Sequence, residues 1–144
     1  MKLSNKKLRE ILKSCKMKIS KNGNSGIIFF VQDDPKKYDY IWYTGPEMQV
    51  LDNDGHADGK IIKHRSGNLY DLIEGKEGVT KPVGEWNLVD IINQKGTLIL
   101  KMNGVVTVET KLGDDHWKEL IKGSKFGKGK TPDFGTVFSG HIGL

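Results

Sequence analysis

The sequence is short of cysteine, of proline and of long apolar runs, and each shortage excludes a class of protein. The single cysteine, Cys15, excludes an intramolecular disulfide and a metal site built from several cysteines. No apolar run approaches the roughly 20 residues that cross a bilayer as a helix, so we expect no membrane span. No apolar segment of the kind found in export signals precedes Cys15, so we recognise no signal peptide in this sequence. The 4 prolines and 18 glycines predict tight turns between short strands.

The positive charge is concentrated at one end of the chain. Residues 1–21 carry eight Lys or Arg and one Glu, whereas residues 22–144 carry 15 Lys or Arg and 17 Asp or Glu. Proteins that bind nucleic acid usually present a basic face on the folded domain. Because the body of this chain is nearly neutral, we expect no nucleic-acid partner.

What the sequence does contain is a series of short strand patterns separated by turn residues. Asn103-Gly104, between two apolar runs, predicts a two-residue hairpin, because both residues of a type I′ turn need positive φ. Residues 68–73 and 140–144 are weaker strand candidates. The clearest strands are predicted at 27–32, 46–52, 85–92 and 97–102. The predicted core contains Met48, Val50, Trp86 and Leu98.

Two segments carry helical spacing at the periphery of this pattern. One is a basic stretch over residues 4–15, and the other covers residues 114–124 and ends at Gly123, which suits a left-handed C-terminal position. Many short strands with hairpin turns and peripheral helices predict an all-β protein, an antiparallel two-sheet sandwich with one or two short helices. We therefore expect a basic helical segment at residues 1–15 and a sandwich domain at residues 16–144.

The strand predicted at 46–52 carries the first candidate site residues. Glu47 and Gln49 share a face, since side chains two positions apart on a strand lie about 6.5–7 Å apart on the same side. An acid beside an amide can hold sugar hydroxyls, although the pair would equally suit a solvated outer face.

The polar stretch that follows favours the sugar-binding interpretation. It brings two histidines, several aspartates, an arginine and a tyrosine into a short loop region. His64 is the candidate base, because an imidazole ordinarily titrates near neutral pH, with a hydrogen-bonded loop histidine as the alternative. We interpret this region as the wall and rim of a sugar-binding cleft.

Two other kinds of site are not encoded here. Read as a calcium loop from Asp52, the sequence places His56, Ala57 and Lys63 where an EF-hand needs an oxygen ligand, a glycine and a glutamate. The strand of Glu47 offers no second carboxylate on the same face, so the two-carboxylate mechanism of ordinary glycosidases is not encoded in it. We expect neither a metal nor another cofactor.

Several motifs, in order and spacing, carry a family resemblance. They are "GNSGIIFFVQ", "YTGPEMQVLDNDGHADGK", "HRSGNLYDLI", "KPVGEWN", "MNGVVTV", "WKELIKGSKF" and "GHIGL". Over residues 16–144 the chain resembles the 3-keto-disaccharide hydrolase family. The resemblance implies a concanavalin-like jelly roll, and members are usually exported by bacteria that degrade glycans.

The resemblance also implies a chemistry and an oligosaccharide or 3-keto-glycoside substrate. A ketone at sugar C3 acidifies the C2 hydrogen, so a base can remove that proton while an acid assists departure of the C1 oxygen, and water then adds. Glu47 and His64 are the candidate acid and base. The candidate substrate-binding residues are Gln49, Tyr70, Asp71, Lys81 and Asn87. A non-catalytic carbohydrate-binding module on the same fold is the alternative.

The ends of the chain depart from the family pattern. Members continue beyond "GHIGL" with a further strand, and they carry an apolar strand where this chain has its basic segment. We therefore expect a sandwich truncated at its C-terminal end, with an open sheet edge. We expect either the N-terminal segment to cover that edge or another copy of the chain to pair with it.

Overall fold

The computed structural model describes residues 9–144, which fold into two antiparallel sheets. The strands are β1 (Arg9–Met17), β2 (Asn24–Val31), β3 (Glu47–Leu51), β4 (Asn87–Gln94), β5 (Thr97–Met102), β6 (Val105–Lys111) and β7 (His141–Gly143). One sheet has the order β1-β4-β5-β6 and the other β3-β2-β7. With one helix, α1 (Asp115–Gly123), and several 3₁₀ turns, the all-β sandwich prediction is confirmed. None of the described helices is long and apolar enough to cross a membrane.

The core lies between the inner faces of the two sheets. On β3, Met48 and Val50 point inward and are buried, and Leu98 on β5 is buried completely. Facing residues from β2, β4 and β6 complete the cluster, with Trp117 of α1 packed against one end. The prediction that Trp86 belongs to the core is wrong. Its side chain is 55% exposed and lies just before β4, with the Lys18 ammonium 4.8 Å from the ring centroid.

The predicted N-terminal helix is wrong over residues 9–15, which belong to β1. This strand pairs antiparallel with β4, so that Cys15 lies opposite Val89. From Lys13 onward, half-buried and exposed side chains alternate with the period of a strand. Residues 4–8 lie outside the described part of the chain. The expected boundary at residue 15 therefore falls inside a strand of the sandwich.

The turns follow the sequence closely, with one exception. Asn103 (φ 51°) and Gly104 (φ 79°) form the predicted hairpin between β5 and β6. The Asp114 side chain caps α1 by accepting a hydrogen bond from the Trp117 N–H at 2.8 Å. Gly123 is the exception, because it lies inside α1 and Ser124, at φ −94°, ends the helix.

β7 occupies one edge of the smaller sheet. It pairs only with β2 among the described strands, through His141 opposite Val31 and Gly143 opposite Ile28. The described part of the N-terminal segment does not cover this edge, because β1 pairs with β4 in the other sheet.

Candidate active site

The site begins on the outer face of β3. Met48 and Val50 point into the core, so strand alternation turns Glu47 and Gln49 to the other face. The Glu47 carboxylate lies over Gly26 of the neighbouring strand, and a Cβ built on Gly26 would overlap it. Gly26 therefore makes the room that the carboxylate occupies.

Residues 68–73 form a loop segment that hydrogen-bonds to β3. The Tyr70 N–H donates to the Glu47 carbonyl at 2.9 Å, and the Gln49 N–H donates to the Asn68 carbonyl at 3.1 Å. The predicted strand at 68–73 is reduced to these bonds and to isolated bridges that join Leu69 to Met48 and Ile73. The pairing sets the Tyr70 side chain next to Glu47.

These residues line a cavity of about 370 Å³. A volume of this size suits a small ligand such as a sugar ring. Glu47 supplies the one carboxylate of the described lining, and Lys125 supplies the one cation. The lining residues are Asn24, Trp42, Glu47, Gln49, Tyr70, Lys125 and Phe126.

Lys125 reaches the cavity from the 3₁₀ turn Lys125–Gly127, which follows α1. Its ammonium donates to the Tyr70 hydroxyl at 2.9 Å and lies 4.1 Å from the centroid of the Tyr70 ring. Its backbone N–H donates to the Asp71 carboxylate at 2.7 Å. The lysine is thus fixed at both ends to consecutive residues of the loop segment.

His64 lies one layer behind Tyr70. It is 8% exposed, and its ring centroid is 4.4 Å from that of Tyr70. Its Nε2 is hydrogen-bonded to the Asp71 carboxylate at 2.8 Å. Its buried Nδ1 has no hydrogen-bond partner among the described residues, and Asp58 Oδ2 lies 3.7 Å away.

Asp58 and Asp71 support this layer from two sides. The Tyr70 hydroxyl lies 3.4 Å from Asp58 Oδ2, a weak hydrogen bond. Asp71 adopts the left-handed backbone region at φ 59°, which is uncommon for residues other than glycine and favours aspartate and asparagine among them. The carboxylates therefore hold His64, Tyr70 and Lys125 in one arrangement.

Burial decides the electrostatics of the cavity. It raises the pKa of Glu47 to about 7, although the positive charge of Lys125 acts in the opposite direction. Burial also raises the pKa of Tyr70, and the nearby carboxylates of Asp58 and Glu47 add to this. Burial would raise the pKa of Asp71 too, but the hydrogen bonds from the Lys125 N–H and from His64 outweigh it and lower that pKa. Near neutral pH the site thus holds a half-ionised Glu47 and a protonated tyrosine.

The structure brings Glu47, Gln49 and Tyr70 together, with Asp71 and His64 behind them, and places two other candidates elsewhere. Asn87 is 1% exposed at the start of β4, where its Oδ1 accepts from the Lys81 N–H at 2.8 Å and from the Asn103 side chain at 2.9 Å. Lys81 lines a different cavity of about 540 Å³ beside Asp52. In that cavity the Asp52 carboxylate already accepts backbone hydrogen bonds from Asn22 and Gly55, which lower its pKa.

Sequence reasoning missed the residues that come from distant segments. Lys125 lies in a cluster of lysines that predicts a solvated loop. Trp42 lies in an aromatic run with no clear period. Asp58 stood among several aspartates with nothing to single it out. A strand pattern tells which side chains share a face, but it cannot tell which loop folds over that face.

The two antiparallel sheets place the chain in the class of β-sandwich proteins. Within that class, residues 3–144 match the family model of the 3-keto-alpha-glucoside-1,2-lyase-like domain, and the chain belongs to this family. The resemblance seen in the sequence motifs is thereby confirmed.

Individual relatives agree with the family assignment. The chain is 38% identical over 125 residues to a 3-keto-disaccharide hydrolase from Bacteroides thetaiotaomicron, a match that covers 80% of this chain and 43% of that protein. The crystal structure of a candidate glycosyl hydrolase from Parabacteroides distasonis superposes with a TM-score of 0.80 at 28% identity, covering 90% of this chain and 60% of the other. A second such structure from that organism, with a TM-score of 0.59 at 22% identity, covers 69% of this chain and 49% of the other, and shares the fold. The chain thus spans about half the length of these relatives.

Proposed function

We propose that this chain cleaves 3-keto-glycosides by elimination followed by hydration, with Glu47 as the group that moves the proton. The observation that carries the proposal is the cavity with one carboxylate, whose pKa of about 7 makes it both a base and an acid near neutral pH. The name of the Bacteroides relative supports the substrate class. A retaining glycosidase would need a second carboxylate about 5 Å away, and the described lining offers none.

In the first step the ionised Glu47 removes the hydrogen from C2 of the keto sugar. The electron pair of the C2–H bond moves toward the C3 carbonyl, whose oxygen gains negative charge. The Lys125 ammonium and the Tyr70 hydroxyl are the donors available to that oxygen, and they are already hydrogen-bonded to each other at 2.9 Å. Fixed donors aimed at a developing oxyanion are among the strongest contributors to catalysis.

In the second step the bond from C1 to the leaving oxygen breaks. The electron pair of the enolate forms the C1–C2 double bond and restores the ketone, and the leaving oxygen takes the proton that Glu47 holds. Water then adds at C1 and a proton returns to C2, which completes a net hydrolysis. We assign to Gln49, which lines the same cavity, the role of orienting hydroxyls of the reacting ring.

His64 has a positioning role in this scheme. Its ring packs against that of Tyr70 at an angle of 37°, and its Nε2 is hydrogen-bonded to Asp71, which also accepts from the Lys125 N–H. His64 therefore acts through the two donors and not on the sugar itself.

The test is turnover of a 3-keto-disaccharide in D₂O by the wild-type chain and by Glu47→Gln. Elimination exchanges the C2 hydrogen with solvent, so we expect deuterium at C2 of the product, seen by mass spectrometry or NMR. Loss of the proton-transfer group should lower kcat by roughly 10²- to 10⁴-fold. Glu109→Gln, which changes an exposed glutamate on β6, serves as the matched control and should leave kcat unchanged.

Product that keeps hydrogen at C2 would contradict the elimination route. Saturable binding of the disaccharide without any turnover would favour the carbohydrate-binding module instead.

A further inference from the structure

An exposed stack of aromatic rings stands at the rim of the Glu47 cavity. Tyr40 is 51% exposed and Trp42 is 44% exposed, yet their ring centroids lie 4.4 Å apart with planes only 11° from parallel. Tyr43 meets Tyr40 edge-on at 5.5 Å. Trp42 also belongs to the lining of the cavity, whereas the other exposed tryptophan, Trp86, does not.

The stack is held firmly against the smaller sheet. Trp42 sits in the 3₁₀ turn Ile41–Tyr43, which is closed by hydrogen bonds from the Tyr43 N–H to the Tyr40 carbonyl at 3.1 Å and from the Gly45 N–H to the Ile41 carbonyl at 3.3 Å. The turn approaches β2 so closely that a Cβ on Gly45 would come within 2.6 Å of both Ile28 and the Phe29 carbonyl. The backbone that carries Trp42 is therefore anchored to the smaller sheet, and the Trp42 ring stacks on that of Tyr40.

A half-exposed aromatic ring on an anchored turn, beside polar groups, suits a pyranose. One face of a pyranose presents C–H groups that pack on an aromatic ring, and its rim presents hydroxyls for side chains such as Asn24 and Gln49. When the apolar face of a sugar packs on the ring, apolar surface of both is removed from water, and this stabilises the complex.

We propose that Trp42, backed by Tyr40, is the binding subsite for the leaving sugar ring of a 3-keto-disaccharide. The inference rests on the proposed function and adds to it the placement of the second ring. The reacting ring must bring C1, C2 and the C3 oxygen to Glu47, Lys125 and Tyr70, so it fills the interior of the cavity. Trp42 stands at the water-exposed rim, where a ring that must depart remains partly solvated.

The test compares two substrates with the same reacting ring. One is a 3-keto-disaccharide of glucose, and the other is methyl 3-keto-glucoside, which has a methyl group in place of the second sugar. We expect Trp42→Ala to lower kcat/KM for the disaccharide roughly threefold to tenfold and to leave the methyl glycoside within twofold of wild type. Trp42→Phe should keep most of the wild-type kcat/KM for the disaccharide. Trp86→Ala is the matched control and should leave kcat/KM unchanged for both substrates.

A second readout separates this inference from the proposed function. Isothermal titration calorimetry with unmodified disaccharide and with methyl glucoside measures binding without any chemistry, for the wild-type chain and for the Trp42→Ala, Trp42→Phe and Trp86→Ala variants. Tighter binding of the disaccharide that Trp42→Ala abolishes would support the subsite even if no 3-keto substrate were turned over. Equal losses for both ligands, or no loss for either, would overturn it. The Trp42→Phe variant guards against a misfolded alanine variant.

Discussion

Gly26 and Glu47 share the outer face of the smaller sheet, and the missing side chain of the glycine is the space in which the carboxylate lies. The atoms that a Cβ at position 26 would meet all belong to the flexible side chain of Glu47. The substitution would therefore displace that side chain without disturbing the backbone. Gly26→Ala should lower kcat for the 3-keto substrate more than tenfold while changing the free energy of unfolding by less than about 1 kcal/mol.

The control for that substitution is Gly123→Ala, since nothing lies within 4 Å of a Cβ at that helical position. It should leave activity unchanged. Wild-type activity in Gly26→Ala would show that the position of the carboxylate over Gly26 is not the reactive one.

The raised pKa of Glu47 also predicts how stability changes with pH. In the unfolded chain its pKa is near the ordinary value of 4.5, and in the folded protein burial raises it to about 7. Between these values the folded state binds more protons, so this residue's contribution to the free energy of unfolding is fully present below pH 4.5 and is lost as pH rises through 7. The loss amounts to at most about 3 kcal/mol.

Urea denaturation of wild type and Glu47→Gln at several pH values between 5 and 8 measures this effect. The glutamine variant should gain stability relative to wild type as pH rises, whereas Glu109→Gln should follow wild type throughout. A constant difference in the free energy of unfolding between Glu47→Gln and wild type across that range would contradict the raised pKa of the Glu47 carboxyl.

At the scale of elements, the 3₁₀ turn that carries Lys125 depends on one residue of the loop segment. Asp71 accepts from the Lys125 N–H at 2.7 Å and from His64 at 2.8 Å, and it does so at φ 59°. Asp71→Ala and Asp71→Gly both remove these bonds and should cost about 2–3 kcal/mol of unfolding free energy. Alanine should cost about 1 kcal/mol more than glycine, because a Cβ is strained in the left-handed region.

Thermal or urea unfolding of the two variants separates the contributions of backbone and side chain. If the glycine variant were no more stable than the alanine variant, the strained backbone assigned to Asp71 would be refuted. Asp114→Ala, which removes the cap of α1, provides a reference for the loss of one carboxylate hydrogen bond.

The same scale shows what the sequence could and could not predict. β5 and the Asn103-Gly104 turn were predicted at their observed places because local chemistry dictates them. The N-terminal strand was mistaken for a helix because a short apolar stripe fits both periods, and its pairing with β4 decided the outcome. Glu47 and Gln49 were found by strand alternation, whereas Lys125 comes from a loop some 80 positions further on. Only the packing of the whole chain brings such residues together.

For the whole molecule, the position of a side chain matters more for stability than its size. Leu98 is fully buried between the sheets, while Trp86 is larger and 55% exposed. Leu98→Ala should lower the free energy of unfolding by about 2–5 kcal/mol through lost burial and the cavity it leaves. Trp86→Ala should cost less than about 1 kcal/mol.

Urea denaturation of both variants at one pH is sufficient for the comparison. Similar losses for the two would mean that Trp86 packs into the core. Near-UV circular dichroism adds a control, because the buried Trp117 should keep its signal in Trp86→Ala.

β3 carries core residues on one face and the Glu47 cavity on the other, and this has a consequence for motion. Because β3 packs on the core through one face, we expect its amide hydrogens to exchange slowly with solvent. Lys125 sits in an exposed position on a short turn, outside both sheets. We therefore expect the wall of the cavity at β3 to move less than the turn that carries Lys125, and hydrogen exchange of the two segments measures the difference.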